Sequence, residues 1–593
     1  MKILAIHVEK TSGCALFIND KIVYATSEER FTRIKSDSSF PLQSIKNALK
    51  HSKIKPNELD KVILTSNWLT LIPSLTNHYS NLDVKDHLKM MRDFWYPNLN
   101  QGKKLSFLKY LEHKINVNNF PFNTTLGKKT NFFSLVHPKT PETARKCSEF
   151  FKKIISDLFK INESKIIQMD HHELHAAYAF YGSPIRDDKT LIVTADAYGD
   201  NNSASVSMYN KKKNKIIKLK EYHHTNFQLA RIYRFTTLYL RMLPNEHEAK
   251  VMGLASYYNG PKTDEIEKIF DKILKVEKIE FIHNKKVKNI FNFLEKELDA
   301  YRFDHIAAGL QKFTEKILKT WIENLIKKHK CSSVVYSGGI SMNIKANAAI
   351  SEINKVKKLF ICGAGTDETL HIGACYKFAE LNNIKSKPLD NLYLGDVANY
   401  TKIKKNKNFD IKKFKKTDQI VDLLLKNKIV AVCRGRMEMG QRALGNRSIL
   451  ADPRNETNVE KINRLIKQRD FWMPFAPIIL YEYQNKLIYN KKKIDSPHMT
   501  ITYQTRNGRR IIPAAIHRAD ETTRAQLLRR EQNPELWDVI YKFYKKTGIP
   551  ALLNTSFNLH GFPIVRSTDD AIKVFNNSEL DAVWFERDII VRK

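Results

Sequence analysis

The sequence predicts an α/β protein whose N-terminal domain is duplicated and whose C-terminal domain is a second α/β unit. Short apolar runs of strand length alternate with helical stretches along the chain. A strand, turn, strand pattern at the beginning returns near residue 190, which indicates an internal duplication. At 593 residues the chain exceeds what one hydrophobic core supports. A stretch rich in lysine and asparagine, 382–410, therefore separates two predicted domains, 1–385 and 386–593.

The first half of the N-terminal domain begins with short apolar strands separated by turn residues, of which Asn19-Asp20 is the clearest pair. The predicted elements are strands at 2–8, 13–18 and 21–26, a helix at about 42–52 and a strand at 61–65. An actin-like nucleotide-binding fold begins in this way, so we expect that fold here. Residues 68–140 are rich in aromatic residues and lysines without clear periodicity, and we interpret them as a variable helical insertion.

The second half repeats the pattern. A buried strand at 191–196 ends in Asp196, and a strand-like run follows at 203–208. An amphipathic helix is predicted at 304–328, and it leads into a strand at 333–336.

Charge and cysteine content limit the class of protein. Lys+Arg number 100 against Asp+Glu 63, so the net charge is +37. A polyanionic partner such as nucleic acid would explain this excess, and so would the lysine-rich composition of AT-rich coding sequence; both interpretations stay open.

The six cysteines are isolated, without CxxC spacing, which fits a reducing cytosol and argues against a disulfide framework. Without a signal peptide or an 18-residue apolar stretch, we expect a soluble cytoplasmic protein that does not contact membranes.

A segment rich in arginine and glycine, 435–454, has the character of an anion site. Its arginines include Arg436, Arg442 and Arg447. The planar fork of arginine matches phosphate oxygens, and glycine lets the backbone approach an anion closely. The segment therefore predicts a site for a small phosphorylated molecule. The alternative is an ordinary basic surface loop.

Two further patterns suggest binding sites. His171 and His175 stand at i and i+4 of a predicted helix, so they share one face, as two ligands of one metal ion do. The alternative is a capped helix whose histidines bond to neighbouring groups. The run Ser337-Gly338-Gly339 follows a strand and opens a helix, where a nucleotide can approach closely.

These patterns together resemble the NodU/CmcH-type O-carbamoyltransferases. Those enzymes move a carbamoyl group from carbamoyl phosphate, through an adenylate made with ATP, to an acceptor hydroxyl. Several stretches match the sequence motifs of this family. They include 28–35 (EERFTRIK), 171–177 (HHELHAA), 248–257 (EAKVMGLASY), 337–347 (SGGISMNIKAN), 435–454 (GRMEMGQRALGNRSILADPR) and 554–558 (NTSFN).

The resemblance implies a metal ion, nucleotide contacts and a C-terminal module similar to YrdC. A divalent ion, iron(II) in the family, would be held by His171, His175 and Asp367. Mg²⁺ would accompany ATP. Arg436, Arg442 and Arg447 would act in catalysis on the co-substrates ATP and carbamoyl phosphate. The residues expected to contact nucleotide or carbamoyl phosphate are Asp196, Lys250, Ser337, Gly338, Gly339, Asn343, Asn347, Arg469, Arg524, Asn554, Ser556 and Asn558. For Lys250, an ion pair with Glu246 is an equal alternative.

The sequence departs from the family at the expected general base. Lys10 and Thr11 replace the family's histidine and aspartate, while His7 lies three residues before Lys10. We therefore assign the catalytic role on this side to His7 or Lys10. Met473 and Phe562 replace residues that are arginine and glutamate in the family.

The expected acceptor is a hydroxyl of a small molecule or sugar. The alternatives are a hydroxymethylated nucleobase or another nucleic acid, or a nucleic-acid-binding protein, and the resemblance allows a homodimer.

Overall fold

The computed structural model describes residues 1–71, 82–103, 141–398, 407–467 and 469–593, with the single residues 105, 110, 114, 401, 403 and 404. Much of the predicted insertion at 68–140 therefore lies outside the described residues. Its described part contains two short α-helices joined by the π-helical segment Met91–Trp95. None of the helices in these ranges combines the length and apolar character that a bilayer crossing requires.

The first sheet has five strands in the order β3-β2-β1-β4-β5. The first three strands are antiparallel to their neighbours, whereas β1, β4 and β5 run parallel. The strands of this sheet are β1 (Lys2–His7), β2 (Gly13–Ile18), β3 (Lys21–Ser27), β4 (Lys61–Leu64) and β5 (Ile166–Gln168). The helices of this part are α1 (Glu29–Thr32), α2 (Leu42–Ser52), α3 (Val84–Met90), α4 (Tyr96–Asn100), α5 (Pro141–Phe159) and α6 (His171–Tyr181).

The second sheet repeats the first. Its order, β8-β7-β6-β11-β12, again has three antiparallel strands followed by two parallel ones. Its strands are β6 (Leu191–Gly199), β7 (Asn202–Asn210), β8 (Lys215–His223), β11 (Ser333–Ser337) and β12 (Lys358–Ile361), and a separate ribbon joins β9 (Leu274–Glu277) to β10 (Glu280–His283). The helices here are α7 (Leu229–Tyr239), α8 (Glu248–Leu254), α9 (Pro261–Asp271), α10 (Ile290–Leu298), α11 (Phe303–His329), α12 (Ile344–Ser351) and α13 (Leu370–Leu381). The predicted duplication and actin-like fold are confirmed by this shared topology.

Helices α6 and α13 fill the space between the two sheets. Gly373 of α13 approaches α6 so closely that a Cβ there would lie 2.1 Å from the Leu174 carbonyl oxygen. Their apolar side chains join those of β1, β2 and β11 in one buried core. This packing fixes α6, which carries the two predicted metal ligands, between both halves of the domain.

The C-terminal part is built on a mixed eight-stranded sheet, which confirms the predicted α/β class. The order is β13-β22-β21-β14-β15-β20-β16-β19. Its strands are β13 (Phe409–Lys413), β14 (Val430–Cys433), β15 (Ser448–Ala451), β16 (Ala476–Leu480), β19 (Gln526–Leu528), β20 (Ala551–Ser556), β21 (Ala582–Phe585) and β22 (Asp588–Arg592), with β17 (Tyr503–Gln504) and β18 (Thr522–Thr523) in a short ribbon. The helices are α14 (Asp418–Leu425), α15 (Thr457–Lys461), α16 (Gly508–Ile511), α17 (Pro534–Thr547) and α18 (Thr568–Asn576).

The two parts of the chain pack directly on each other. The largest hydrophobic core contains Leu191 and Val334 of the second sheet together with Ile479 and Leu527 of the C-terminal sheet. A continuous core of this kind restricts the relative motion of its two sides. The boundary at residue 385 and the likeness to YrdC stay predictions. All six cysteines are free thiols.

Candidate functional site

Four potential metal ligands meet where the two sheets face α6. One ligand atom from each of His171, His175, Asp196 and Asp367 lies within 4.8 Å of the other three. The helix begins at His171 because the side chain of Asp170 accepts a hydrogen bond from the N–H of Glu173 at 3.0 Å. The two histidines follow one turn apart on the same face.

The distances within the cluster are short. His175 Nε2 lies 3.3 Å from Asp196 Oδ2 and 3.3 Å from Asp367 Oδ1. His171 Nε2 lies 3.5 Å from Asp367 Oδ1 without hydrogen-bond geometry. Both imidazoles are buried, and neither ring nitrogen of His171 has a hydrogen-bond partner among the described residues. A buried imidazole without a partner is costly unless something binds it.

The electrostatics reflect two carboxylates facing each other in a buried site. Burial, with the charge of Asp196, raises the pKa of Asp367 to about 6. Burial also opposes the charge of His175, but the hydrogen bonds and charges of the two aspartates outweigh it and raise its pKa to about 9. Burial holds the pKa of His171 well below its usual range.

This donor set fits a divalent metal ion. Two imidazoles and two carboxylates are ligands that suit iron(II) or a similar borderline ion. His172 does not take part, because its Nδ1 lies 2.8 Å from Thr194 Oγ1. Asp196 was predicted as a nucleotide contact, and the structure adds its carboxylate to the cluster. The strand β6 continues beyond the predicted end at Asp196 to Gly199. The signal that could have found this role was an acid placed directly after the buried run 191–195.

The turn after β11 lies against the cluster. Gly338 has a φ of 99°, and a Cβ there would lie 2.2 Å from the Ala195 carbonyl oxygen, so only glycine fits. The N–H of Gly339 donates to Asp196 Oδ2 at 2.7 Å. Behind the cluster, Ser337 Oγ lies 3.4 Å from His175 Nδ1. The glycine turn and the metal cluster therefore form one unit.

The asparagines after the glycine turn have structural partners. Asn343 caps α12 by accepting from the N–H of Ala346 at 3.0 Å, and it lines the cavity described below. Asn347 is buried, and its side-chain amide donates to the carbonyl oxygens of Ser341 and Thr500. Asn343 lines the cavity, but its side-chain amide exchanges two hydrogen bonds with Gln311, at 2.9 and 3.0 Å. Asn347 ties α12 to the C-terminal part.

A cavity of about 500 Å³ joins the metal cluster to the C-terminal part of the chain. Its walls contain residues predicted from different motifs and from both halves of the sequence. Of the predicted site residues, it is lined by Lys10, Asp196, Gly339, Asn343, Asp367, Arg442, Ser556 and Asn558. The volume suits a ligand of nucleotide size.

A group of cations lies beside the C-terminal end of this cavity. Burial, together with the charges of Arg442 and Arg469, holds the pKa of Arg524 well below its usual range. Arg442 and Arg524 form no ion pair with any described residue, and their Nε atoms lack hydrogen-bond partners there. Unpaired, partly buried guanidinium groups attract phosphate strongly.

Lys467 belongs to the same group, although the sequence analysis did not identify it. Its buried ammonium donates to the carbonyl oxygens of Ser556 and Asn558 and to the Asn558 side chain, and it lies 3.2 Å from Ser556 Oγ. Burial and the charge of Arg469 hold its pKa well below its usual range. No motif marks Lys467; it reaches the site through the π-helical segment Ile462–Lys467.

Several predicted residues do not reach the cavity. The guanidinium of Arg436 donates to the carbonyl oxygens of Gly395, Val23 and Leu394. Arg447 is buried, and it donates to the backbone of its own loop. These two arginines organise the segment 435–454, whereas Arg442 points into the cavity.

Asn554 and Lys250 have structural partners as well. Asn554 is buried, and its amide donates to the Ala443 carbonyl at 2.9 Å. Lys250 Nζ lies 2.9 Å from Asp470, and Glu246 instead pairs with Lys35. The alternative ion pair of Lys250 with Glu246 is therefore wrong, because the partner comes from the C-terminal part.

The two candidate bases differ in access. Nδ1 of His7 lies 2.8 Å from Thr65 Oγ1 and its Nε2 lies 3.1 Å from the Lys10 carbonyl oxygen. Burial lowers the pKa of His7 to about 4. Lys10 lines the cavity, and its ammonium donates to the Asn245 carbonyl. Burial lowers the pKa of Lys10 too, against the opposing charges of Glu248, Glu246 and Asp367.

Most of the chain matches known carbamoyltransferase sequences. A family model described as "Carbamoyltransferase N-terminus" matches residues 2–376, and one described as "Carbamoyltransferase C-terminus" matches residues 421–593. The uncharacterized protein MJ1051 of Methanocaldococcus jannaschii is 29% identical over 98% of both chains. Nodulation protein NolO of Bradyrhizobium diazoefficiens is 30% identical over 70% of this chain and 77% of its own. Among solved structures, HypF of T. kodakarensis is 11% identical with a TM-score of 0.33, over 64% of this chain and 48% of that one.

Proposed function

The chain belongs to the carbamoyltransferase family, and on that premise we propose that it is an ATP-dependent O-carbamoyltransferase. It uses carbamoyl phosphate, passes through carbamoyl adenylate and carbamoylates a hydroxyl of a small molecule or sugar. The observation that carries the proposal is the shared cavity, because it joins the two-histidine, two-aspartate cluster to Arg442, Ser556 and Asn558.

The first half-reaction belongs to the cation group. Carbamoyl phosphate loses its phosphate to water and gives carbamate. A carbamate oxygen then bonds to the α-phosphorus of ATP, the bond to the β-phosphate oxygen breaks, and pyrophosphate leaves. Arg442, Arg469, Arg524 and Lys467 would bind the phosphates and offset the negative charge that develops. Mg²⁺ accompanies ATP in this proposal. Ser556 and Asn558 offer hydrogen-bonding groups for the carbamoyl amide.

The second half-reaction belongs to the end of the cavity beside α6. A divalent ion held by His171, His175, Asp196 and Asp367 would supply positive charge for the phosphate of the adenylate. The acceptor oxygen bonds to the carbamoyl carbon, the bond from that carbon to AMP breaks, and AMP leaves. In this proposal the neutral amine of Lys10, a form that its lowered pKa makes accessible, takes the acceptor proton, because Lys10 lines the cavity and His7 does not.

The first test is pyrophosphate release by the purified protein with ATP and carbamoyl phosphate, without acceptor. Release that depends on carbamoyl phosphate is the expected result. A protein loaded with metal that releases none, even with candidate acceptors present, would exclude the adenylate route.

The second test separates the two half-reactions. His171→Ala removes one proposed ligand, so transfer from carbamoyl adenylate should fall by about 100-fold or more, whereas pyrophosphate release should change by less than about twofold. His172→Gln, on the same helix but directed to Thr194, is the matched control. Equal losses in both half-reactions of His171→Ala would overturn this division of labour.

A second candidate acceptor is a hydroxymethylated nucleobase or another nucleic acid. The net charge of +37 favours it, since basic proteins attract polyanions.

A further inference from the structure

One wall of the cavity carries an arginine, Arg234, that has no role in either proposed half-reaction. This wall is formed by the first turns of α7 and by the segment before α8. Arg234 of α7 lines the cavity, as do Lys10, Lys35 and Glu248. Arg231 lies one helical turn before Arg234, so the two side chains are neighbours on the surface of α7.

The acids on this wall do not balance its cations. Glu246 is engaged with Lys35 at 3.3 Å. Glu248 is the remaining acid; its Oε1 accepts from the N–H of Asn245 at 2.6 Å, and its charge acts on both Lys10 and Arg234. Within the described ranges Arg234 has no ion pair. Glu246 and Asp367 also act on Lys10, so Glu248 is the one carboxylate whose charge acts on Arg234.

The positive charges of Arg231 and Arg234 repel each other. Burial, together with the charge of Arg234, lowers the pKa of Arg231 to about 10. Burial likewise lowers the pKa of Arg234. Other partly buried arginines have acids beside them, such as Arg529 with Asp495 at 2.5 Å. Neither guanidinium group forms an ion pair with a described residue, and Glu248 is the one acid whose charge acts on Arg234. Since two such groups side by side are costly in a poorly solvated site, a bound anion would relieve this cost.

The acid whose charge acts on Arg234 is not one of the proposed metal ligands. Asp367 of the cluster acts on the charge of Lys10, whereas Glu248 is the acid that acts on Arg234. Lys10, the proposed proton acceptor, lines the same cavity as Asp367 and Arg234, and Glu248 acts on both Lys10 and Arg234. A molecule whose hydroxyl reaches Lys10 would extend its remaining part toward Arg234.

We propose that Arg234, with Arg231 behind it, binds an anionic group of the acceptor, so that the acceptor is a hydroxyl compound carrying a phosphate or a carboxylate. The proposal rests on the proposed function, since it names the class of acceptor for the same cavity. Guanidinium groups recognise both anions through paired N–H donors.

Calorimetric titration with inorganic phosphate and, separately, with succinate tests this site. The metal-loaded protein is kept saturated with AMP, which fills the proposed adenylate site. We expect the unaltered protein to bind at least one of the two anions, and Arg234→Gln to bind that anion about tenfold more weakly or worse. Arg234→Lys should keep part of the affinity. Whether phosphate or succinate binds more tightly tells which anion the acceptor carries.

Two controls make the result specific. Arg302→Gln alters an exposed arginine paired with Asp304, and it should leave both isotherms unchanged. Arg524→Gln should remove phosphate binding at the C-terminal cations and keep the Arg234 site. An Arg234→Gln isotherm equal to that of the unaltered protein, or the absence of any site sensitive to Arg234, would overturn the proposal. Pyrophosphate release by the unaltered protein is measured in parallel. If no pyrophosphate is released, the proposed function fails, whereas the phosphate and succinate titrations still test anion binding at Arg234.

Discussion

The carboxylate of Asp196 connects two parts of the site that the sequence presents separately. Its Oδ2 accepts the N–H of Gly339 at 2.7 Å and lies 3.3 Å from His175 Nε2. Burial disfavours its charge, but His175 and the glycine turn outweigh burial and lower the pKa of Asp196. It is therefore ionised at neutral pH, as a metal ligand must be.

Asp196→Asn should weaken metal binding by about 10- to 100-fold, because a neutral amide replaces one of the two carboxylates. Cobalt(II) titration followed by its visible absorption measures this affinity. Asp264→Asn, whose side chain is 62% exposed beside Lys312, should leave the affinity unchanged. Unaltered cobalt affinity and spectrum in Asp196→Asn would remove Asp196 from the ligand set.

Lys467 allows a second test at the residue scale. Lys467→Met keeps much of the side-chain volume but removes the ammonium that contacts Ser556 and Asn558. We expect pyrophosphate release that depends on carbamoyl phosphate to fall by about 100-fold or more, since one preorganised charge is lost from the adenylating site. Lys461→Met is the matched control, because Lys461 pairs with Asp581. Comparable rates in the two variants would exclude Lys467 from the chemistry.

At the scale of elements, the turn after β11 depends on one glycine. Gly338 has a φ of 99°, and an added Cβ would meet the Ala195 carbonyl oxygen at 2.2 Å. Gly548, at the end of α17, has a φ of 77° with no atom within 4 Å of an added Cβ. Comparing an alanine substitution at Gly548 with one at Gly338 therefore separates the effect of backbone strain from that of steric contact.

Gly548→Ala should cost about 1–2 kcal/mol of unfolding free energy, which is the strain of a left-handed alanine. Gly338→Ala should cost more, because β6 must also shift, and that shift should weaken metal binding through Asp196. Denaturant unfolding and cobalt titration of both variants measure these effects. Equal unfolding free energies and unaltered cobalt affinity would show that the turn tolerates the displacement.

Regular elements could be predicted from the sequence, and several side-chain partners could not. The predicted helices at 42–52 and 304–328 agree with Leu42–Ser52 and Phe303–His329, because apolar periodicity follows directly from which face is buried. Motif matching selected Arg436 and Arg447 along with Arg442, yet only Arg442 lines the cavity. A motif shows which residues occur together in the sequence. It does not show which of them donate their hydrogen bonds to backbone carbonyl groups.

At the scale of the whole molecule, ion pairs tie the two parts of the chain together. Lys345 of α12 donates to Asp520 of the C-terminal part. Burial acts to raise the pKa of Asp520, but the charge and hydrogen bond of Lys345 outweigh it and lower the pKa to about 2. Because the folded-state pKa lies below the unfolded value of 3.8, this stabilisation is present above about pH 4 and is lost as the pH falls through about 2.

Asp520→Asn should therefore lower the unfolding free energy by about 1–2 kcal/mol at pH 7, and the difference from the unaltered protein should shrink as the pH approaches 2. Urea unfolding at pH 7, 4 and 3 measures it. Asp538→Asn is the control; it removes a more exposed partner of Lys542 and should change the stability by less than about 0.5 kcal/mol. A difference in unfolding free energy between Asp520→Asn and the unaltered protein that grows on acidification would contradict this prediction.

The net charge of +37 gives the last prediction, because it bears on the nature of the acceptor. Many lysines lie in ion pairs spread over the surface, such as Lys272 with Glu297 and Lys358 with Asp187. Charge dispersed in this way gives weak, non-specific attraction to nucleic acid that salt abolishes. The cavity of about 500 Å³, by contrast, has the size of a small-molecule site.

We therefore expect DNA and tRNA to be retarded in a mobility-shift assay only at low salt, and no radiolabelled carbamoyl group to pass from carbamoyl phosphate to either. Small phosphorylated or carboxylated alcohols should accept the label in the same assay. Transfer to hydroxymethylated DNA or to tRNA, together with a complex that survives physiological salt, would instead identify nucleic acid as the acceptor. The basic wall around Arg234 would then contact a backbone phosphate, so loss of label transfer in Arg234→Gln alone does not distinguish the two acceptors, whereas the identity of the labelled product does.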